Sequence, residues 1–186
     1  MIMPTMPRRH NAGFTLIELL IVVALIGVIA AIAVPGLLRA RVAGNEASAI
    51  ASLRVVNSSQ QAYAQSCGNG FYASSLLILA DPAPAGAAFI SPDLGAAAVV
   101  VKSGYQLMME EGSEATAAVD DGCNPSGTAA NLFSSYYASN APTTPGQSGT
   151  RWFWTNTTGA IFASLANDFA AIQVGNASPG VGAPVQ

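Results

Sequence analysis

The chain has 186 residues, 51% of them hydrophobic and only 9% charged, with a formal net charge of −3. That length suits one long helix and one modest domain, and so few basic groups make a phosphate-binding surface and direct nucleic-acid binding unexpected. The single histidine, His10, and the two cysteines, Cys67 and Cys123, leave little foothold for imidazole-based nucleophile systems or the usual zinc sites.

The first predicted element is an apolar run from Phe14 to Val34 that contains one acid, Glu18. A carboxylate on a bilayer-spanning helix costs about 2.5 kcal/mol or more at mid-depth, so Glu18 calls for a dedicated partner. The run is long enough to cross about 30 Å of hydrocarbon at 1.5 Å per residue. Arg8 and Arg9 stand upstream and place that end in the cytoplasm. The small pair Ala12-Gly13 also precedes the run, whereas a secretory signal peptide carries its small-residue cleavage site after the apolar segment. Cleavage at Gly13 would therefore keep the apolar helix in the mature protein. It would also remove Arg8 and Arg9 from seven basic side chains, leaving five against ten acids.

The stretch Gly13-Phe14-Thr15-Leu16-Ile17-Glu18-Leu19-Leu20, with Arg8 and Arg9 before it and apolar residues to Val34, resembles the N-terminal processing motif of type IV pilins and pseudopilins. The resemblance covers roughly residues 8–66. It implies that a prepilin peptidase cuts between Gly13 and Phe14 and methylates the new N-terminus at Phe14. It also implies that Glu18 is the assembly glutamate, and that Gly27 and Pro35 match the helix-weakening glycine and proline. The implied fold is α+β and pilin-like: a long N-terminal α-helix, half membrane-spanning and half amphipathic, packed on a small antiparallel β-sheet. The expected division is a leader at 1–13, a transmembrane and filament-core helix at 14–35, an amphipathic half at 36–66, a globular head at 67–174 and a flexible tail at 175–186.

After Pro35 the helix is expected to continue to about Ser66. Proline lacks an N–H, so the helix should kink or loosen where Pro35 opposes the carbonyl of Ala31, with Gly27 and Gly36 adding backbone freedom. Leu37-Leu38-Arg39-Ala40-Arg41 is amphipathic and basic. Further on, Leu38, Val42, Ala49, Ile50, Leu53, Val56 and Tyr63 fall on helical spacing, the pattern of a central core helix.

Cys67-Gly68-Asn69-Gly70 is a helix stop and turn. The second cysteine sits in Asp120-Asp121-Gly122-Cys123-Asn124-Pro125, also turn-like. In an exported domain Cys67 and Cys123 most simply form one bridge; two free thiols are the alternative. This placement differs from the C-terminal cysteine pair of many pilins. A short helix is predicted over Ser74–Leu79, and strands over Val99–Glu110, Leu132–Ala138, Thr150–Thr155 and Ala160–Leu165. The last two are joined by Asn156-Thr157-Thr158-Gly159 and should form a hairpin.

Other chemistry has weak support. Gly68-x-Gly70-x-x-Ala73 echoes a dinucleotide loop but follows a helix, so a turn is the expected reading. Glu110, Glu111, Glu114, Asp120 and Asp121 match no calcium-loop spacing and read as a solvated loop. Trp152 and Trp154 share one face of a strand, where burial against the long helix is expected over a carbohydrate contact. The Asn57, Asn156 and Asn176 sequons read as coincidental in a bacterial export context.

The expected function is structural, without enzyme activity, cofactor or metal. The chain should be a pilin subunit whose partners are further copies of itself in a helical filament, a prepilin peptidase, an assembly ATPase and membrane platform, and the inner membrane. It should reside in the inner membrane before assembly and on the cell surface afterwards, serving adhesion, twitching motility or DNA uptake. A pseudopilin of a type II secretion system shares every N-terminal feature. A membrane-tethered binding or enzymatic domain is a third reading, against which Glu18 and the missing histidine weigh.

Overall fold

A computed structural model describes residues 13–84, 86–112, 115–165 and 183–185. The chain divides into two compact units, Met1–Arg39 and Ala40–Gln186. A single helix, α1 (Leu16–Ser66), is assigned without interruption through Pro35, so the expected weakening there does not break the element.

Within the first unit the large apolar side chains of α1 are exposed on all sides, from 48% at Val22 to 79% at Leu16. No described residue covers them, and the helix is long and apolar enough to cross a membrane.

The second unit is an α+β head. After α1 come β1 (Tyr72–Ala73), α2 (Leu76–Ala80), α3 (Pro92–Gly95), β2 (Val99–Lys102), β3 (Tyr105–Glu111), β4 (Leu132–Phe133), β5 (Tyr136–Pro142), β6 (Trp152–Asn156), β7 (Ile161–Ser164) and β8 (Ala183–Pro184). The main antiparallel sheet has the order β2-β3-β5-β6-β7-β8, and β1 pairs with β4 in a two-stranded ribbon. The hairpin across Asn156–Gly159 forms as expected, pairing Thr155 with Ile161. The short helix lies slightly later than its predicted span. Of the tail read as flexible, Ala183–Pro184 add a strand to β7, Val185 donates to the Ile161 carbonyl, and the other tail residues, Asn176 included, lie outside the described ones.

Two predicted strands need correction. Val99–Glu110 is not one strand but a hairpin. Ser103 and Gly104 turn the chain with φ of 49° and 72°, and Lys102 pairs with Tyr105. Positive φ at both central residues matches the twist of the flanking strands. Leu132–Ala138 likewise divides, since β4 pairs with β1 and β5 joins the main sheet.

The head core is built where α1 lies on the sheet. Ala49, Leu53, Val56 and Tyr63 repeat at helical spacing and are buried with Leu107, Met109, Ala138 and Phe153. Phe153, between the two tryptophans, takes the core position. It is paired with Asn140, whose Nδ2 donates to the Ala49 carbonyl of α1 at 2.9 Å. The tryptophans share a face as expected, but it is the face away from α1, where Trp154 stacks on Phe162 at 6.0 Å. Strand alternation couples the two residues; the register with β5 decides which side they take.

Polar groups also fasten α1 to the sheet. Glu46 Oε1 accepts from the Thr150 N–H at 2.9 Å and the Thr150 hydroxyl at 2.8 Å. Its Oε2 accepts from Arg151 Nε at 2.9 Å and lies 2.7 Å from an Arg151 Nη. Burial alone would raise the Glu46 carboxyl, yet the bonds from Thr150 and the charge of Arg151 outweigh it and hold it below its ordinary value. A carboxylate depressed in the folded state stabilises fully above its unfolded value, here 4.5, and loses that contribution as pH falls through the folded value. Glu46→Gln should therefore lower head stability by about 2 kcal/mol at pH 7 and flatten the loss of stability below pH 4.5. Thermal unfolding of the full chain in detergent across that pH range checks both expectations.

The bridge forms: Cys67 and Cys123 are disulfide-bonded with Cα atoms 4.7 Å apart. It fixes the loop after Val119 to the end of α1, assisted by the Cys123 N–H donating to the Cys67 carbonyl at 3.1 Å. Asn124, buried beside it, accepts from the Tyr63 hydroxyl at 2.9 Å and donates to the carbonyls of Ile78 and Asp81. Burial pushes the Tyr63 phenol up to about 12, so it remains a hydrogen-bond donor at neutral pH. Alkylation of the exported chain without reductant should label neither cysteine. Replacing both by Ser should cost about 4 kcal/mol on the loop-entropy estimate, read as a lowered unfolding midpoint.

Candidate functional site

The residues that matter at the N-terminus are ordered by one short pattern, Thr15-x-x-Glu18. Thr15 precedes the first helical residue, and its N–H donates to Glu18 Oε2 at 3.0 Å. Its hydroxyl donates to the same oxygen at 2.6 Å, while the Glu18 N–H points back to Thr15 Oγ1 at 3.3 Å. This is a reciprocal capping box, which satisfies two backbone donors that the helix start would otherwise leave unpaired. A negative charge in the first turn also suits the positive end of the helix dipole.

The cap gives Glu18 a local role that the sequence reading did not assign, although Thr three residues before Glu ahead of an apolar run signals it. Both Thr15 bonds go to Oε2, and a carboxylate has acceptor sites on two oxygens, so the cap leaves capacity for a second, charged partner. On the opposite face of the helix Leu16, Leu19, Leu20, Val23 and Ala24 line a shallow apolar groove that Glu18 does not enter. A cation seated against Glu18 would be held in a weakly screened environment once the apolar surface of the helix is covered.

Gly13 and Phe14 precede the helix, and Phe14 is 82% exposed. A Cβ added at Gly13, Gly27 or Gly36 would meet nothing within 4 Å. No close approach among the described residues explains the glycine at any of these positions. Pro35 lies inside α1.

The head offers less chemistry. Glu110 accepts a hydrogen bond from the Tyr137 hydroxyl, and Asp121 accepts from the Ala129 N–H at 2.7 Å. Glu114 lies outside the described residues, among which no group of three or more His, Cys, Asp or Glu could hold a metal ion. Gly68 and Gly70 close the end of α1 by donating to the carbonyls of Tyr63 and Ala64, so the weak dinucleotide echo is a helix stop. A Cβ at Gly68 would lie 2.2 Å from the Phe71 carbonyl oxygen. Asn57 is occupied structurally: its Nδ2 donates to Gly159, and its Oδ1 accepts from the hydroxyls of Tyr136 and Thr155. Asn156 holds the β6–β7 turn through Thr158.

Residues 8–34 match the family model described as the prokaryotic N-terminal methylation motif. Over 54 residues the chain is 42% identical to the type IV major pilin protein PilA of Myxococcus xanthus (strain DK1622), a span of 29% of this chain and 24% of that protein. The chain thus aligns with about a quarter of the length of that curated relative. No solved structure matches. The motif spans Gly13, Phe14 and Glu18 and most of the apolar first unit of α1.

Proposed function

We propose that this type IV pilin-like chain is a filament subunit, cut between Gly13 and Phe14 by a prepilin peptidase, methylated at Phe14 and polymerised through its apolar helix. The observation that carries the reading is an acid, Glu18, capping a helix whose apolar first unit no described residue covers. A membrane anchor alone would use the cap to Thr15 but has no use for the charge that the cap leaves open. In a bundle of such helices the Phe14 amine freed by cleavage would meet the Glu18 carboxylate of a neighbouring copy, so that two charges neutralise each other where the dielectric is low. Residues 14–35 would hold the subunit in the inner membrane before assembly, and an ATPase with its membrane platform would supply the work of extraction. The finished fibre would stand at the cell surface, for adhesion, twitching motility or DNA uptake.

Similarity to a major pilin favours a pilus over a secretion pseudopilus, which shares the N-terminal chemistry. Imaging surface fibres labelled for this chain, with protein secretion assayed in a deletion strain, tests the reading. Labelled fibres with normal secretion are the expected result. Lost secretion without surface fibres would assign the chain to a secretion system instead.

A further inference from the structure

Among the described residues the head carries a positive charge without an ion pair at one end of its helical segment and a negative charge without one at the other. Arg41 lines a polar groove of about 300 Å³ with Asn45, Ser103, Thr144, Gln147 and Ser148, all neutral side chains. At the far end the exposed Asp120 stands beside Val119, which is 89% exposed. Its loop is fixed to the end of α1 by the Cys67–Cys123 bridge and by Asn69 Nδ2 donating to the Asp121 carbonyl at 3.2 Å. Asp121 already accepts from Ala129, so of these two neighbours Asp120 is the more open carboxylate. The ion pairs among the described residues join Lys102 to Asp93 and Arg151 to Glu46, and neither uses Arg41 or Asp120.

We infer that Asp120 of one copy docks in the Arg41 groove of the next, a contact that rests on the filament reading above. Arg41 and Cys67 are separated along α1 by about 39 Å at 1.5 Å per residue. That exceeds the Debye length of about 8 Å, so the two charges do not satisfy each other within one copy. The two patches differ, so the contact is heterologous, and a heterologous contact that does not close propagates a helical filament. Arg41 offers a planar guanidinium suited to a carboxylate, and the groove's amides and hydroxyls supply further donors. Val119 contributes apolar area that the contact removes from water.

Charge reversal tests the pair in the full chain. Arg41→Glu and Asp120→Arg should each cut sheared-fibre yield at least about tenfold, since like charges meeting at an interface are strongly unfavourable. Levels of processed, disulfide-bonded subunit in the membrane should stay normal. The double variant should recover most of the yield. In a second measurement, fibres of the Arg41→Cys, Asp120→Cys chain treated with a short bis-maleimide should give a covalent ladder on denaturing gels. Normal yield from the single reversals, a double variant no better than the singles, or intact fibres that give no ladder would overturn the contact while leaving the filament reading in place. Absence of fibres from the unaltered chain would overturn both.

Discussion

Replacing Glu18 by Val should abolish fibres, with yield down by at least about a hundredfold, while export, membrane insertion and processing persist. Insertion persists because the change makes the apolar helix more apolar, and processing because the cut lies upstream. Assembly fails because the Phe14 amine of the neighbouring copy would be buried without a compensating charge, several kcal/mol per subunit interface. The capping box sharpens the test. Val removes both the cap to Thr15 and the charge, whereas Gln at the same position still completes a capping box and removes the charge alone. Glu18→Gln should therefore be nearly as damaging as Val, and Thr15→Val, which loses the cap bonds but keeps the carboxylate, should cost only about 1 kcal/mol of helix-end stability. Fibre yield by sedimentation and electron microscopy, against processed subunit by immunoblot, reads the series. Normal fibres from the Val variant would remove the assembly role, and normal fibres from Gln alone would assign Glu18 to the cap.

The long helix was legible because its signals are local. The apolar run from Phe14 announces the exposed half, and Cys67-Gly68-Asn69-Gly70 marks the end at Ser66 within one residue. The capping box was equally local and equally readable in Thr15 and Glu18. The hairpin at Ser103-Gly104 was harder, because Ser is an uncommon residue at positive φ and the flanking residues read as one β-rich run. On the buried face of α1 the apolar residues Ala49, Leu53, Val56 and Tyr63 were legible from their spacing, but the polar ones were not. Glu46, Ser52, Ser59 and Gln60 are buried polar residues that break the apolar stripe. Ser52 donates back to the Ser48 carbonyl of its own helix, but burial of the others is tolerable only because partners arrive from outside α1, as when Gln60 exchanges hydrogen bonds with both backbone groups of Ala73. Glu46 finds Arg151 across 105 positions, a separation at which no spacing rule operates. The tryptophan face failed for the same reason, since alternation is local but register is tertiary.

Gly13→Leu should leave uncut precursor in the membrane, with the processed fraction falling at least about tenfold. The structure removes the usual rival explanation for a glycine substitution. Gly13 stands outside α1, and a Cβ there would meet nothing within 4 Å, so the bulkier side chain disturbs neither the capping box nor the head. Any effect must then arise at the enzyme that reads the site, where side-chain bulk at the cut would obstruct it. Fibres should vanish with processing, because without cleavage there is no α-amine at Phe14 to pair with Glu18 of a neighbour. In the unaltered chain, intact mass and N-terminal analysis of sheared fibres should give a first residue of methylated Phe14. A mature chain beginning near Pro35 would instead mean that the apolar run is removed as an ordinary signal peptide. The two variants separate the steps. Gly13→Leu should accumulate a chain longer by its leader, and Glu18→Val a chain of mature length, with neither polymerising. A Gly13→Leu chain that stays uncut and still forms fibres would show that a free amine at Phe14 is not what Glu18 neutralises.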